Sequence, residues 1–321
     1  MGKVSVDQEK CKACMLCAQV CKQDLIKTGE DFNSSGYTPI LSLDDENCTG
    51  CGLCAVMCPE SALEVSLQKK GSEKIIAKRP EVLFDVTTSY CPGCSHGIVH
   101  RLIAETIDEL GIQEQMIGVT SIGCSIFIYK NFNIDYCEGA HGRAPAVATG
   151  VKRVFPDKTV FTYQGDGDIA AIGTSEIIHA AARNENFTVI FVNNGNYGMT
   201  GGQMAPTTLM GERTTSTPRG RQPSDGFPIR VCELLSTLDG QLYIARSSVN
   251  DPKNVRQTKK YIKKAFQYQL DKKGFSIVEI LGICPANWKK GPIDSVAFLE
   301  QNMIPHFPLG EMRIPEGESH D

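Results

Sequence analysis

No apolar run in this 321-residue chain is long enough to cross a bilayer; the longest, such as VIFV, fall far short of the required ~20 residues. The opening MGKVSVDQEK lacks the apolar core of a secretory signal, so the chain is expected in the cytoplasm. An excess of positive charge is also missing. The net charge is −4, and no basic cluster with interleaved aromatics occurs, which removes the electrostatic case for a nucleic-acid partner. What remains is ordinary for a globular chain, with 41% hydrophobic and 22% charged residues and enough length for two domains.

Cysteine, by contrast, is plentiful: there are fourteen. In a reducing compartment clustered cysteines more often bind metal than pair as disulfides. The stretch from Val4, VSVDQEKCKACMLCAQVCKQDLI, repeats from Leu41 as LSLDDENCTGCGLCAVMCPESAL, with a constant offset of 37 residues. Cys11, Cys14, Cys17 and Cys21 are thereby matched by Cys48, Cys51, Cys54 and Cys58. Each half reads C-x2-C-x2-C-x3-C, in which three cysteines wrap one iron–sulfur cube and the fourth serves the other. One [4Fe–4S] site is therefore expected from Cys11, Cys14, Cys17 and Cys58, and the second from Cys48, Cys51, Cys54 and Cys21. Zinc, the alternative, has little use for a third cysteine in each loop. Lys22 stands where proline usually follows the fourth cysteine, whereas Pro59 keeps it. The 26 residues between Cys21 and Cys48 exceed the usual gap, so a loop around KTGEDFNSSGYTP is expected to bulge. Residues 1–67 read as a small ferredoxin-like α+β domain, a pseudo-twofold βαβ pair whose folding leans on its metal.

The lysine-rich stretch over residues 68–82 reads as a linker or surface strap. From residue 83 to 321, helical patterns (96–111, 143–156, 169–184, 254–270) alternate with short apolar runs (117–123, 159–164, 187–193, 241–247, 275–281). That alternation predicts an α/β domain with a parallel sheet covered on both faces.

Two turns in this domain carry chemistry. TVFTYQGDGD and FTVIFVNNGN place Gly165, Asp166 and Gly167, then Asn193 and Asn194, at the carboxyl ends of adjacent strands, where open α/β sheets bind ligands. Mg²⁺ takes oxygen ligands and shares its sphere with phosphates. Asp166 offers a carboxylate, Asn194 an amide oxygen 28 residues later, and Asn196 a backbone carbonyl. Gly165 and Gly167 admit a diphosphate near a helix N-terminus, with Asp168 in the same turn. The pattern strongly resembles a thiamine diphosphate fingerprint.

Together, YCPGCSHG, SIGCS, AHGRAPAVATG, YQGDGD, NNGNYGMTGGQ and LGICPANW resemble the β subunit of 2-oxoacid:ferredoxin oxidoreductases over nearly all of residues 85–310. A two-cluster ferredoxin module looks fused in front. The resemblance implies a third [4Fe–4S] cluster on Cys91, Cys94, Cys124 and Cys284; spacing alone leaves Cys137 and Cys232 open as the last ligand. It also implies thiamine diphosphate with Mg²⁺, a cofactor-facing His141, and a Thr200-Gly201-Gly202-Gln203 turn near the diphosphate. Arg143 is divided between binding phosphate and capping a helix, and Trp288, the sole tryptophan, is expected to pack. The implied activity is oxidative decarboxylation of a 2-oxoacid to acyl-CoA and CO₂, with electrons passing through the clusters to an external ferredoxin. Implied partners are an α subunit, which supplies the glutamate for the cofactor's pyrimidine ring, and a γ subunit. Ile126 and Phe127, just after Cys124, lean toward a branched-chain 2-oxoacid, with 2-oxoglutarate close behind. The alternative is an electron-transfer subunit without thiamine chemistry of its own.

Overall fold

The computed structural model describes residues 1–69 and 72–314. At the N-terminus, β1 (Gly2–Val6), α1 (Leu16–Gln19), β2 (Leu43–Asp45), α2 (Leu53–Val56), β3 (Leu63–Lys69) and β4 (Ser72–Ala77) form one small unit. Its antiparallel sheet has the order β2-β1-β3-β4. Val4, Ile26, Ile40, Leu63 and Val65 make its modest core, and Cys17 and Cys54 belong to it. So few apolar side chains cannot alone offset the entropy of ordering a domain.

The expected linker over 68–82 corresponds in part to structure: Ser72–Ala77 is an edge strand paired with β3. It is exposed along its whole length except Ala77, so no alternation of apolar and polar residues marked it as a strand. Residues 70 and 71 of that segment, and 315–321 of the larger domain, lie outside the described residues.

The larger unit holds α3 (Ser95–Leu110), β5 (Met116–Thr120), β6 (Asp135–Glu138), α4 (Ala144–Val154), β7 (Thr159–Gly165), α5 (Thr174–Ala182) and β8 (Thr188–Asn193). A short hairpin, β9 (Asn196–Tyr197) and β10 (Gln203–Met204), follows. After it come α6 (Val231–Ser236), β11 (Tyr243–Ser248), α7 (Pro252–Leu270), β12 (Ser276–Leu281), α8 (Pro285–Trp288), α9 (Pro292–Phe298) and β13 (Gly310–Arg313). The main sheet runs β13-β11-β12-β8-β7-β5-β6 and is parallel except for β13, an antiparallel edge. Successive residues of a strand point to opposite faces. Phe161, Tyr163, Ile190 and Val192 accordingly join one core with α3 and α7, while Val160, Val189 and Phe191 join another with α4, α5 and α6. Burial on both faces is why these strands read as nearly continuous apolar runs.

The helix expected over 169–184 is broken. Gly173 N–H donates to Asp168 O at 3.0 Å, closing a π-helical turn over Asp168–Ile172 before α5 begins. A Cβ on Gly173 would lie 2.8 Å from that same oxygen, so the wide turn needs glycine there. Such π-turns recur at functional sites.

The N-terminal unit packs on α3, which explains why Ser95–Ala104 is buried on every side. Leu16 and Met57 enter the larger core, and Arg101 donates to Val56 O at 2.5 Å. Pro59 O lies where a Cβ on Gly97 would come within 2.1 Å, so the units meet backbone to backbone. Among the described residues no helix is long and apolar enough to cross a membrane.

Candidate thiamine and iron–sulfur site

Three sets of thiols gather in the structure. Cys11, Cys14 and Cys17 share one small cavity with Cys58, and Cys48, Cys51 and Cys54 line another, of about 170 Å³, with Cys21. The fourth cysteine of each motif thus stands with the other motif's three. Burial pushes the Cys14 and Cys54 thiols up to about 11 and Cys58 up to about 12, and neighbouring sulfurs add to the shift. Thiols that resist ionisation next to one another suit a cationic iron core, which lets them be thiolates together.

The third set forms at the carboxyl edge of the main sheet. Cys91 and Cys94 precede α3, Cys124 follows β5, and Cys284 follows β12. Ser95 Oγ accepts Ile283 N–H at 2.8 Å, tying the start of α3 to the end of β12. The charges of Cys91, Cys94, Cys124 and Cys284 act on one another; burial, with that repulsion, pushes Cys124 up to about 12 and raises Cys94 and Cys284. Cys137 and Cys232 lie elsewhere. Cys232 is wholly buried among the α6-side core residues, its Sγ 3.9 Å from Ala245 O, and Cys137 packs against the same core. Spacing alone did not distinguish them from Cys284, which the family resemblance singled out; the path of the chain sets them apart from the third set.

The diphosphate-type turns lie beside this set. Asp166 is 2% exposed and accepts from Gly167 N–H at 2.9 Å and from Thr207 Oγ. Burial lifts its carboxyl to about 7 against those donors. Asn194 Oδ1 is buried without a hydrogen-bond partner, whereas its backbone oxygen accepts from Asn196 Nδ2 at 2.9 Å and from Trp288 Nε1 at 3.1 Å. A buried amide oxygen with nothing to accept is costly unless a ligand completes it. An orphaned oxygen next to a desolvated carboxylate fits a hard divalent cation. A Cβ on Gly165 would meet nothing within 4 Å, leaving that approach open. Thr200 and Gln203 close their own turn, Thr200 Oγ to Gln203 Oε1 at 2.6 Å, with Gly201 and Gly202 at positive φ.

Asp168 gathers several donors: Ser121 Oγ at 2.8 Å, Gly142 N–H at 2.5 Å and Gln164 Nε2 at 2.5 Å. Burial raises its carboxyl despite them. His141 Nδ1 lies 2.8 Å from Asp168 Oδ1 and 3.0 Å from Ile122 O, which leaves Nε2 as the outward nitrogen of a one-third-exposed ring. Asp168 therefore bears on His141 from below. Arg143 is engaged by Ile172 O and Glu176, holding the π-turn. Trp288 packs edge-on to Phe298.

Sequence reasoning missed Thr207, Glu212 and Asn287. Glu212 accepts Leu209 N–H at 3.1 Å, and burial lifts it to about 7, with Asp166 contributing. Thr207 and Glu212 are loop residues of common types at no fixed interval from a motif and left no signal to read, whereas Asn287 stands in α8, three residues after Cys284.

Residues 121–280 match the family model of the thiamine pyrophosphate enzyme, C-terminal TPP binding domain, and residues 10–62 match that of the 4Fe-4S dicluster domain. The ketoisovalerate oxidoreductase subunit VorA of Methanothermobacter thermautotrophicus is 45% identical over 257 residues, covering 77% of this chain and 54% of that one. This chain thus spans about half the length of that relative. The 2-oxoglutarate synthase subunit KorB of Methanocaldococcus jannaschii is 39% identical over 67% of this chain and 78% of its own. A solved structure of the 2-oxoglutarate:ferredoxin oxidoreductase from Magnetococcus marinus, with 2-oxoglutarate, coenzyme A and succinyl-CoA bound, superposes with a TM-score of 0.59. Its identity is 29%, over 69% of this chain and 72% of that one.

Proposed function

Because this chain belongs to the 2-oxoacid:ferredoxin oxidoreductase family, we propose that it is the thiamine-binding subunit of a coenzyme A-dependent enzyme of the cytoplasm. The net reaction turns a 2-oxoacid and coenzyme A into acyl-CoA, CO₂ and a proton, and delivers two electrons to ferredoxin. A single observation carries this: the diphosphate-type turn and the third thiol set adjoin. A Cβ on Gly198 would lie 3.1 Å from Cys124 Sγ, and Gly198 is two residues from Asn196. Such proximity has a purpose only where electrons leave the thiamine site for a cluster, and it disfavours a pure electron carrier.

In this assignment Asp166, Asn194 Oδ1 and the Asn196 carbonyl hold Mg²⁺, while Gly165, Gly167, Asp168, Thr200 and Gly201 surround the diphosphate. Thiamine diphosphate, when bound, supplies the electron sink for the carbon that loses CO₂. His141, oriented through Nδ1 by Asp168, holds or moves a proton at Nε2. Cys91, Cys94, Cys124 and Cys284 would hold a cluster, which would supply the one-electron acceptor nearest the thiamine site. Gly93 of that loop faces Cys14, where a Cβ would stand 3.4 Å from the cysteine's own. Cys11, Cys14, Cys17 and Cys58 would therefore hold the next acceptor, at the chain's contact with that loop. Cys48, Cys51, Cys54 and Cys21 would hold the outermost cluster, and the exposed Cys51 would leave it open to an external ferredoxin. An α subunit brings the glutamate for the pyrimidine ring, and a γ subunit completes the heteromer.

For substrate we favour a branched-chain 2-oxoacid over 2-oxoglutarate. Support comes from Ile126 and Phe127 after Cys124 and from the 45% identity to the ketoisovalerate relative. The test is the anaerobically assembled complex, assayed with coenzyme A, a viologen dye and a panel of 2-oxoacids. About twelve irons per chain, four for each of three clusters, and one thiamine diphosphate are expected. Eight irons would refute the third cluster, and an assembled complex free of thiamine would leave only an electron-transfer subunit.

A further inference from the structure

Asn287 touches both centres at once. Its Nδ2 lies 2.9 Å from Gly198 O, 3.4 Å from Asn196 Oδ1 and 3.4 Å from Cys284 Sγ. Two amide hydrogens thus serve three acceptors, two on the turn that follows β8 and one on a cysteine of the third set. Surroundings fix the amide where it is. A Cβ on Gly202 would lie 2.9 Å from the Asn287 Cβ and 3.0 Å from its Cγ, and one on Gly198 would approach both Cys124 Sγ (3.1 Å) and Asn287 Nδ2 (3.7 Å). The neighbouring residue repeats the connection: Trp288 Nε1 donates to Asn194 O at 3.1 Å, while Trp288 N–H donates to Cys284 O at 2.9 Å. The four residues Cys284 to Asn287 therefore run from a thiol of one site into the hydrogen-bond frame of the other.

Hydrogen bonds to cluster sulfurs are among the determinants of reduction potential, because they stabilise the more negative, reduced state. The amide that supplies such a bond here also holds the turn bearing Asn194 and Asn196. We propose that Asn287 is a positioning residue that couples the two centres: filling the Asn194–Gly198 turn with Mg²⁺ and a diphosphate resets the N–H···S bond to Cys284, and so the potential of the adjoining cluster. Linkage makes the effect reciprocal, so reduction of the cluster changes the affinity of the turn by the same factor. The proposal rests on the assignment of Cys284 to a cluster and of Asp166 and Asn194 to Mg²⁺–thiamine diphosphate.

The experiment uses the anaerobic holo complex, with and without Mg²⁺–thiamine diphosphate, in redox titrations followed by electron paramagnetic resonance. In the native protein the cofactor should shift one cluster's potential and leave the other two in place. Asn287→Ala and the isosteric Asn287→Asp should lower that cluster's reduction equilibrium on the order of tenfold, about 59 mV for one electron. They should also abolish its response to the cofactor and weaken Mg²⁺–thiamine diphosphate binding, measured calorimetrically, roughly tenfold. Equal potentials with and without cofactor in the native complex would overturn the coupling without recourse to any variant. Variants with native potential and affinity, while iron remains at about twelve per chain and thiamine binds stoichiometrically, would overturn the role of Asn287 and leave the site assignment standing. Loss of iron or thiamine from the native complex would instead sink the assignment itself.

Discussion

Replacing Lys12 by methionine keeps the aliphatic stem and deletes one charge at the junction of the two units. Lys12 lies between two cysteines of the first motif, yet its ammonium points away, into the larger unit. It donates to Glu60 at 2.8 Å, Thr88 O at 2.9 Å, Thr88 Oγ at 3.0 Å and Tyr90 O at 2.7 Å. Both ionic side chains are nearly sealed, 7% and 4% exposed. Burial already raises the Glu60 carboxyl, opposed mainly by Lys12. Without Lys12, Glu60 must stay charged and unpaired or take up a proton, and two carbonyls lose their donor. Breaking a buried pair from one side costs ~3–5 kcal/mol. At ~1.4 kcal/mol per tenfold, separation of the units should become ~10²–10⁴ times more frequent. Hydrogen exchange of the peptide spanning residues 86–98, read by mass spectrometry on anaerobic protein, reports that opening. Lys12→Met with Glu60→Met should recover much of the lost protection, since an apolar pair of similar volume removes the stranded charge. Single-variant exchange within about threefold of native, well under the tenfold that ~1.4 kcal/mol would give, would refute the idea that this pair clamps the electron-transfer module.

Other outcomes follow from the same geometry. Cys284→Ser should cost about four irons per chain, one cluster's worth, whereas Cys137→Ser and Cys232→Ser should keep the native iron content; iron analysis decides between them. Gly97→Ala puts a methyl 2.1 Å from Pro59 O, an overpacking that costs ~1–3 kcal/mol. Thiamine binding should survive, while freeze-quench spectroscopy should find electrons delayed on the way to the N-terminal clusters. Asp166, raised to about 7 without metal, must lose a proton to bind Mg²⁺. Affinity for Mg²⁺–thiamine diphosphate should therefore fall by up to about tenfold per unit below pH 7 and level off above it. For the metal-free protein the sign reverses: a folded-state pKa above the unfolded value of ~3.9 means stability declines as pH rises from about 4 to about 7. Asp166→Asn should flatten both profiles, and if calorimetry shows an unchanged slope, Glu212 is the titrating group.

The metal chemistry of this protein is written locally, and so it was legible. Cysteines three residues apart can reach one cluster only because a short loop brings them there, and the 37-residue repeat doubled the signal. Asp166 and Asn194 were likewise readable, since each closes a strand and adjacent parallel strands bring their ends together. Strands buried on both faces announced themselves as apolar runs. The edge strand Ser72–Ala77 did not, being exposed, and the break at Gly173 depends on a carbonyl five residues earlier that no periodicity encodes.

Sequence alone therefore determined which thiols gather in the N-terminal unit and which two turns stand side by side at the carboxyl edge of the main sheet, because both are set by spacing along a few residues of backbone. The tertiary structure decided what depends on distant parts of the chain meeting. It brought Cys284, which the family resemblance had already picked over Cys232, to the Cys91 loop, sealed Lys12 against Glu60 and Tyr90, and set Asn287 between a thiol and the Asn194–Gly198 turn. Those pairings join segments up to 193 residues apart; only the folding of the chain, with α3 and α8 docked at the carboxyl edge of the sheet, brings them together.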